Sequence, residues 1–295
     1  MRRNDFGEVL TAMVTPFDRS GEVNYKKLRD AFNYLIENCS DGLVVLGTTA
    51  EVPTLTYTEK EKILKVVVEE VGGEAKIVAG TGSYSTQSSI EMTKIAENIG
   101  VDGIMAVVPY YNKPPQNGLY RHFSTIAENT KLPIMIYNVP SRTSKNIEVE
   151  TVQRLAEIDN IIAIKEASGD LSQVANLCSR LDEDFYVYSG DDNFTLPLLA
   201  VGGQGVISVA SHVVGNEIKK MVTLFKNGEL DKAQKLNKKL VEIYNAMFIT
   251  TNPIPVKSAL NIQGMEVGSL RSPLVDLSDD KREELKLILN KNNLI

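Results

Sequence analysis

Eight short runs rich in valine and isoleucine recur along the first two-thirds of the chain, and this rhythm limits the fold more than any other feature. They begin near Val9 (VLTAMVTP), Leu43 (LVVLG), Lys76 (KIVAGTG), Gly103 (GIMAVVP), Pro133 (PIMIYN), Ile161 (IIAIKE), Phe185 (FYVYSG) and Gly205 (GVISV). Apolar runs of this length bounded by turn residues read as strands buried on both faces. Segments with helical periodicity lie between them, at Tyr25–Asn38, Thr58–Val71, Ser88–Ile99, Gly118–Asn129, Val149–Ile158, Asp170–Arg180 and Phe194–Val201. Strands alternating with helices imply parallel βα units. Eight such units imply an α/β fold of the (β/α)8 TIM-barrel type. An open doubly wound sheet would want a glycine-rich phosphate loop after its first strand, and Thr15-Pro16-Phe17-Asp18 is not one.

After Ser211 the texture changes. Ile218–Phe225, Leu230–Met247 and Asp280–Asn290 read as amphipathic helices with no strand between them, and Asn252-Pro253-Ile254-Pro255 and Arg271-Ser272-Pro273 read as punctuation. The expected division is a catalytic barrel over residues 1–212 and a C-terminal helical appendage over 213–295, used for packing and contact between copies.

Composition narrows the function. A net charge of −6 gives no basic footprint for nucleic acid or an anionic membrane. Two cysteines, Cys39 and Cys178, make a disulfide framework improbable and fit a reducing cytoplasm. The start, Met1-Arg2-Arg3-Asn4-Asp5, leads into no apolar signal core, and no stretch reaches the length of a membrane span. With only His122 and His212 present, a histidine-rich metal site is excluded, although a carboxylate site is not; no metal or cofactor is expected.

In a barrel, active groups project from the C-terminal ends of the strands. The second run ends in Gly47-Thr48-Thr49-Ala50-Glu51 and the fourth in Pro109-Tyr110-Tyr111-Asn112. The fifth ends in Tyr137-Asn138-Val139-Pro140-Ser141-Arg142, the sixth in Lys165, the seventh in Ser189-Gly190-Asp191-Asp192. A lysine closing a buried strand is partly stripped of water, which favours the neutral amine and so attack on a carbonyl. A lysine that merely caps a strand and reaches solvent is the plainer alternative. Tyr137 can give and take a proton during imine formation, and Arg142 offers a fork for a carboxylate. Thr48 and Thr49 can relay protons or simply cap a helix, and one of Tyr110 and Tyr111 is expected in the core. Gly190 and Gly205 permit tight turns or expose backbone to a small substrate. Asp191 and Asp192 read as capping residues.

The ordered set GTTAE, PYYNKP, YNVPSRT, IKEASGD, YSGDD, GVISV, NPIPVK and LRSPL resembles the dihydrodipicolinate synthase (4-hydroxy-tetrahydrodipicolinate synthase) family, within the pyruvate-dependent class I aldolases and lyases. Arg142 favours that family over the sialic-acid lyases. The resemblance implies Schiff-base condensation of pyruvate with L-aspartate 4-semialdehyde to 4-hydroxy-tetrahydrodipicolinate, the first committed step towards diaminopimelate and lysine. It implies Lys165 as the imine lysine and Tyr137 as proton donor and acceptor. Thr48 or Thr49 would link Tyr137 to Tyr111, which in the family comes from a neighbouring subunit of a homodimer or homotetramer. Thr49 and Ile207, with Gly190 beside them, would hold pyruvate, and Arg142 the aldehyde's carboxylate. The alternatives are a related aldolase acting on a 2-keto-3-deoxy sugar acid, and a barrel that has lost catalysis. Ala50 and Val52 depart from the family's usual glycine and serine. With Lys60, Tyr84 and Ser88, Val52 also replaces the polar groups that line the lysine-feedback cleft of regulated members, so weak or absent feedback is expected.

Overall fold

The structure, a computed structural model, describes residues 6–38, 40–71 and 73–295. Cys39 and the Met1-Arg2-Arg3-Asn4-Asp5 start, read above for redox compartment and signal, lie outside the described residues. Cys178 is a half-buried free thiol.

The elements follow the expected rhythm. They are β1 (Val9–Ala12), α1 (Tyr25–Glu37), β2 (Gly42–Val45), α2 (Tyr57–Val71), β3 (Lys76–Gly80), α3 (Thr86–Ile99), β4 (Gly103–Val107) and α4 (Gln116–Glu128). Then come β5 (Ile134–Asn138), α5 (Pro140–Thr143), α6 (Val149–Ala156), β6 (Ile161–Glu166), α7 (Leu171–Arg180), β7 (Tyr186–Ser189), α8 (Thr195–Ala200) and β8 (Gly205–Ser208). The chain closes with α9 (Ser211–Lys226), α10 (Leu230–Ala246), α11 (Ile254–Ile262) and α12 (Asp279–Lys291). The strands are hydrogen-bonded in chain order, β1 to β8, as a closed barrel. Every residue of β2, β5, β6 and β8 is buried, as a parallel sheet covered on both faces requires.

Local chemistry fixes the helices. In α1, Leu28, Ala31, Phe32 and Leu35 turn inward at helical spacing, and Asn24 caps its start by accepting from the Lys27 N–H. Ser85 caps α3 and Asp170 caps α7 in the same way. Two elements differ from the sequence reading. The Asn252-Pro253-Ile254-Pro255 stretch opens a helix, α11, instead of interrupting one: Pro255 lies in its first turn, where a missing N–H breaks no helical bond. The segment that carries Arg142 winds into the single turn α5.

The described chain gathers into two compact units. One holds Lys76–Ile207 with the segment ending at Glu8, and the other holds Val9–Ala75 and Ser208–Ile295. In the first, β8 begins at Gly205, where only glycine fits: a Cβ would lie 1.9 Å from the Glu8 carbonyl oxygen.

Candidate active site

In the unit containing Lys76–Ile207, strands β5 and β6 pair in parallel with Tyr137 opposite Lys165 and Asn138 opposite Glu166. Successive residues of a strand face opposite sides, so the first pair shares one face and the second pair the other. Lys165 is 5% exposed and Tyr137 6%. The Lys165 Nζ lies 4.5 Å from the centre of the Tyr137 ring. Burial pushes the Lys165 amine down to about 8; the Asp192 carboxylate works against that shift and the Arg142 guanidinium adds to it. Lys165 is therefore the desolvated amine that its place in the sequence predicts.

Space for this lysine comes from Gly190. A Cβ at Gly190 would lie 3.0 Å from Lys165 Cε, 3.2 Å from Lys165 Cγ and 2.6 Å from Ala167 Cβ. On β7, Tyr188 is paired with Lys165 and fully buried. Its hydroxyl donates to the Gly7 carbonyl at 2.9 Å. Asp191 caps the short helix that follows by accepting from Asn193 N–H. Asp192 does not share that duty: it is buried, and its charge acts on Lys165.

The opposite face holds a buried carboxylate that the sequence reading passed over. Glu166 Oε1 accepts from the Ser168 N–H at 2.7 Å, and Oε2 accepts from Asn138 Nδ2 at 2.9 Å and Gln173 Nε2 at 2.8 Å. Asn138 also donates to Asn146 Oδ1 at 2.7 Å, and its own Oδ1 accepts from the Ile147 N–H at 3.2 Å. This amide web joins the ends of β5 and β6 to the stretch just after Arg142. The signal for it was present: Asn138 and Glu166 each follow a candidate site residue by one position.

Arg142 itself is exposed on α5. Ile207 is buried in β8. Neither tyrosine of the Tyr110-Tyr111 pair enters the core. Tyr110 is half-buried and meets Tyr84 edge-on at 5.4 Å, whereas Tyr111 is 93% exposed on a left-handed backbone with φ 72°. The structure thus brings Lys165, Tyr137 and Gly190 together and leaves Tyr111 projecting outward.

In the other unit, Thr48 and Thr49 open a short helix after β2, between the left-handed residues Leu46 (φ 61°) and Glu51 (φ 55°). Thr48 is half-buried and Thr49 is 2% exposed. Thr49 Oγ1 accepts from Asn252 Nδ2 at 3.0 Å. Glu51 is paired with Lys257 at 2.9 Å, and both side chains are buried. Neither Asn252 nor Lys257 was a candidate in the sequence reading.

A closed parallel barrel with a buried, readily neutralised lysine beside a tyrosine defines a class: the barrel lyases that activate carbonyl compounds through an amine. The chain belongs to the Dihydrodipicolinate synthetase family, whose model matches residues 5–292. It is 53% identical to the 4-hydroxy-tetrahydrodipicolinate synthase of Desulforudis audaxviator over 99% of each chain. It superposes on the crystal structure of dihydrodipicolinate synthase from Bacillus anthracis with a TM-score of 0.95 and 49% identity, covering 97% of this chain and 98% of that one. The synthase from Cyanidioschyzon merolae, solved with lysine bound, matches with a TM-score of 0.97 and 44% identity over 98% and 99% of the two chains.

Proposed function

We propose that this chain condenses pyruvate with L-aspartate 4-semialdehyde to give 4-hydroxy-tetrahydrodipicolinate, and that Lys165 carries the reaction. The observation that supports it most is the buried Lys165 amine, held down to about 8 beside Tyr137. A neutral Lys165 attacks the ketone carbon of pyruvate and water leaves, which forms an imine. The imine draws electrons from the methyl group, a proton departs, and an enamine results. The enamine carbon bonds to the aldehyde carbon, whose oxygen takes a proton. The amino group of the condensed chain then attacks the imine carbon, closes the ring and displaces Lys165 as the free amine.

Tyr137 moves protons in these steps, since its phenol is both donor and acceptor and stands against the amine. Thr48 and Thr49 complete the relay, with Thr49 and the backbone at Ile207 holding the pyruvate carboxylate. Arg142, exposed on α5, receives the carboxylate of the aldehyde. Tyr111, almost fully exposed, reaches a second copy of the chain, so the active form is a homo-oligomer. The division into a catalytic barrel, 1–212, and an appendage, 213–295, and a cytoplasmic location belong to the same proposal. Among the described residues no helix is long and apolar enough to cross a membrane.

The test is borohydride reduction with pyruvate followed by peptide mapping, beside steady-state assays with aspartate semialdehyde, N-acetylneuraminate and 2-keto-3-deoxygluconate. A reduced three-carbon adduct on Lys165 and turnover of aspartate semialdehyde alone are expected. An adduct on another lysine, or faster turnover of a sugar acid, removes the reading. Arg142→Ala is expected to keep trapping and to lower kcat/KM for the aldehyde by about one to two decades; an unchanged value would place the clamp elsewhere.

A further inference from the structure

The loop Gly47–Glu51 is held at three successive residues, Thr49 and Glu51 from the C-terminal part of the chain and Ala50 from Thr15. Asn252, 6% exposed, donates its amide Nδ2–H to Thr49 Oγ1 at 3.0 Å. Thr15 Oγ1 donates to the Ala50 carbonyl at 2.9 Å. Glu51 Oε1 accepts from Lys257 Nζ at 2.9 Å and Oε2 from the Arg271 N–H at 2.9 Å. Lys257 Nζ spends its other two protons on the carbonyls of Thr15 at 3.0 Å and Ser269 at 2.7 Å. An ammonium with all three donors engaged is a structural cation, unlike Lys165.

The bond to Thr49 has a direction, and the direction matters. A hydroxyl has one hydrogen to give. Where its oxygen accepts from an amide N–H, that hydrogen must point away from the amide. We propose that Asn252 is a positioning residue: it fixes the polarity of the buried Thr49 hydroxyl so that Thr49 presents its proton to the pyruvate carboxylate. The appendage thereby acts on substrate binding through one hydrogen bond, while Lys257 and the Arg271 N–H hold the loop through the Glu51 side chain. This rests on the reading of Thr49 as a pyruvate ligand.

The test is a double-mutant cycle in the full-length enzyme at about pH 8. Asn252→Asp keeps the size of the side chain but offers only acceptors, so the Thr49 hydroxyl turns to donate to it. The pyruvate KM is expected to rise about tenfold with the KM for the aldehyde near its original value, and the melting temperature to fall because a carboxylate replaces a buried amide. In a Thr49→Val background the same substitution is expected to change the pyruvate KM no further. An equal rise in both backgrounds would overturn the proposal, because Asn252 would then act without Thr49. So would an impaired Thr49→Val enzyme beside an unimpaired Asn252→Asp enzyme. A Thr49→Val enzyme with unchanged pyruvate KM would instead remove the pyruvate role of Thr49, and the proposal with it. Should Asn252→Asp not fold, neutron diffraction of the unaltered enzyme with pyruvate decides: the Thr49 hydroxyl deuterium is expected on the side away from Asn252, and its presence on the Asn252 side would overturn the proposal.

Discussion

The Nζ of Lys165 stands 4.5 Å from the centre of the Tyr137 ring, and the two residues are direct partners in the β5–β6 ladder. The backbone thus sets the distance between amine and phenol, and neither side chain needs to search for the other. A charged amine would be drawn to the ring face, but burial opposes the charge and brings the amine down to about 8.

That shift has a thermodynamic sign. The folded value near 8 lies below the usual 10.5, so between those pH values the folded protein binds fewer protons than the unfolded chain. Stability is penalised in full below about pH 8 and recovers as pH rises towards 10.5. Lys165→Met is therefore expected to abolish imine formation and to stabilise the fold near neutral pH, by on the order of 2–3 kcal/mol. Trapping by pyruvate in the unaltered enzyme should rise with pH through about 8 and then level. A Lys165→Met protein that melts at or below the original temperature at pH 7 would contradict this account.

Gly190 should tolerate no side chain. A methyl group there would press on the stem of Lys165 and on Ala167. Gly190→Ala is expected to slow borohydride trapping at least tenfold while far-ultraviolet circular dichroism stays unchanged. Normal trapping would show that Lys165 has a second route to its working rotamer.

Glu166→Gln tests the amide web behind the site. Glu166 accepts at both oxygens from N–H donors, and an NH2 at either place would face another donor. A loss of about 1–3 kcal/mol in stability is expected, readable as a lower denaturant midpoint. The stretch after Arg142 shares these bonds, so the KM for the aldehyde should rise with it. No change in either quantity would mean that the web is dispensable.

Much of this was legible from the chain, for a physical reason. In β6 the buried run and the chemically useful lysine occupy the same few positions, so patterning and chemistry could be read together. Asn252 and Lys257 were not legible because their partners, Thr49 and Glu51, lie 203 and 206 residues away. Helix α11, which carries Lys257 and follows Asn252, was hidden as well, since two prolines close together read as a break. Asp192 was mistaken for a cap because its neighbour Asp191 is one. Glu166 was within reach: strand alternation places it behind Lys165, yet the IKEA stretch was read as one motif.

Tyr111 offers a test of assembly. Its side chain is 93% exposed and its backbone is left-handed, an arrangement that costs energy for a tyrosine. Mixing inactive Tyr111→Phe with inactive Lys165→Ala subunits is expected to restore activity, since one hybrid site regains both groups. Hybrids that remain inactive after demonstrated subunit exchange would confine Tyr111 to its own chain.

Free lysine is expected to inhibit weakly or not at all. A site for it needs acceptors for two ammonium groups, and this chain has Val52, Lys60 and Ser88 at positions where the regulated pattern is polar or acidic. Lys60 brings a like charge and lies over the Tyr57 ring at 5.2 Å. Tyr84 packs edge-on against Tyr110. Initial rates with lysine raised to tens of millimolar check this, and half-inhibition below about a millimolar, with a matching rise in melting temperature, would reverse it.

The one-position offset between Lys165 and Glu166 also bounds how this barrel can change. Inserting or deleting a single residue within Ile161–Ile164 would rotate the end of β6 by one pleat. A deletion would set the carboxylate opposite Tyr137, and an insertion would set the amine opposite Asn138. Such a frame error takes the amine from its place beside Tyr137 in one step, so β6 tolerates a changed residue far better than a changed length.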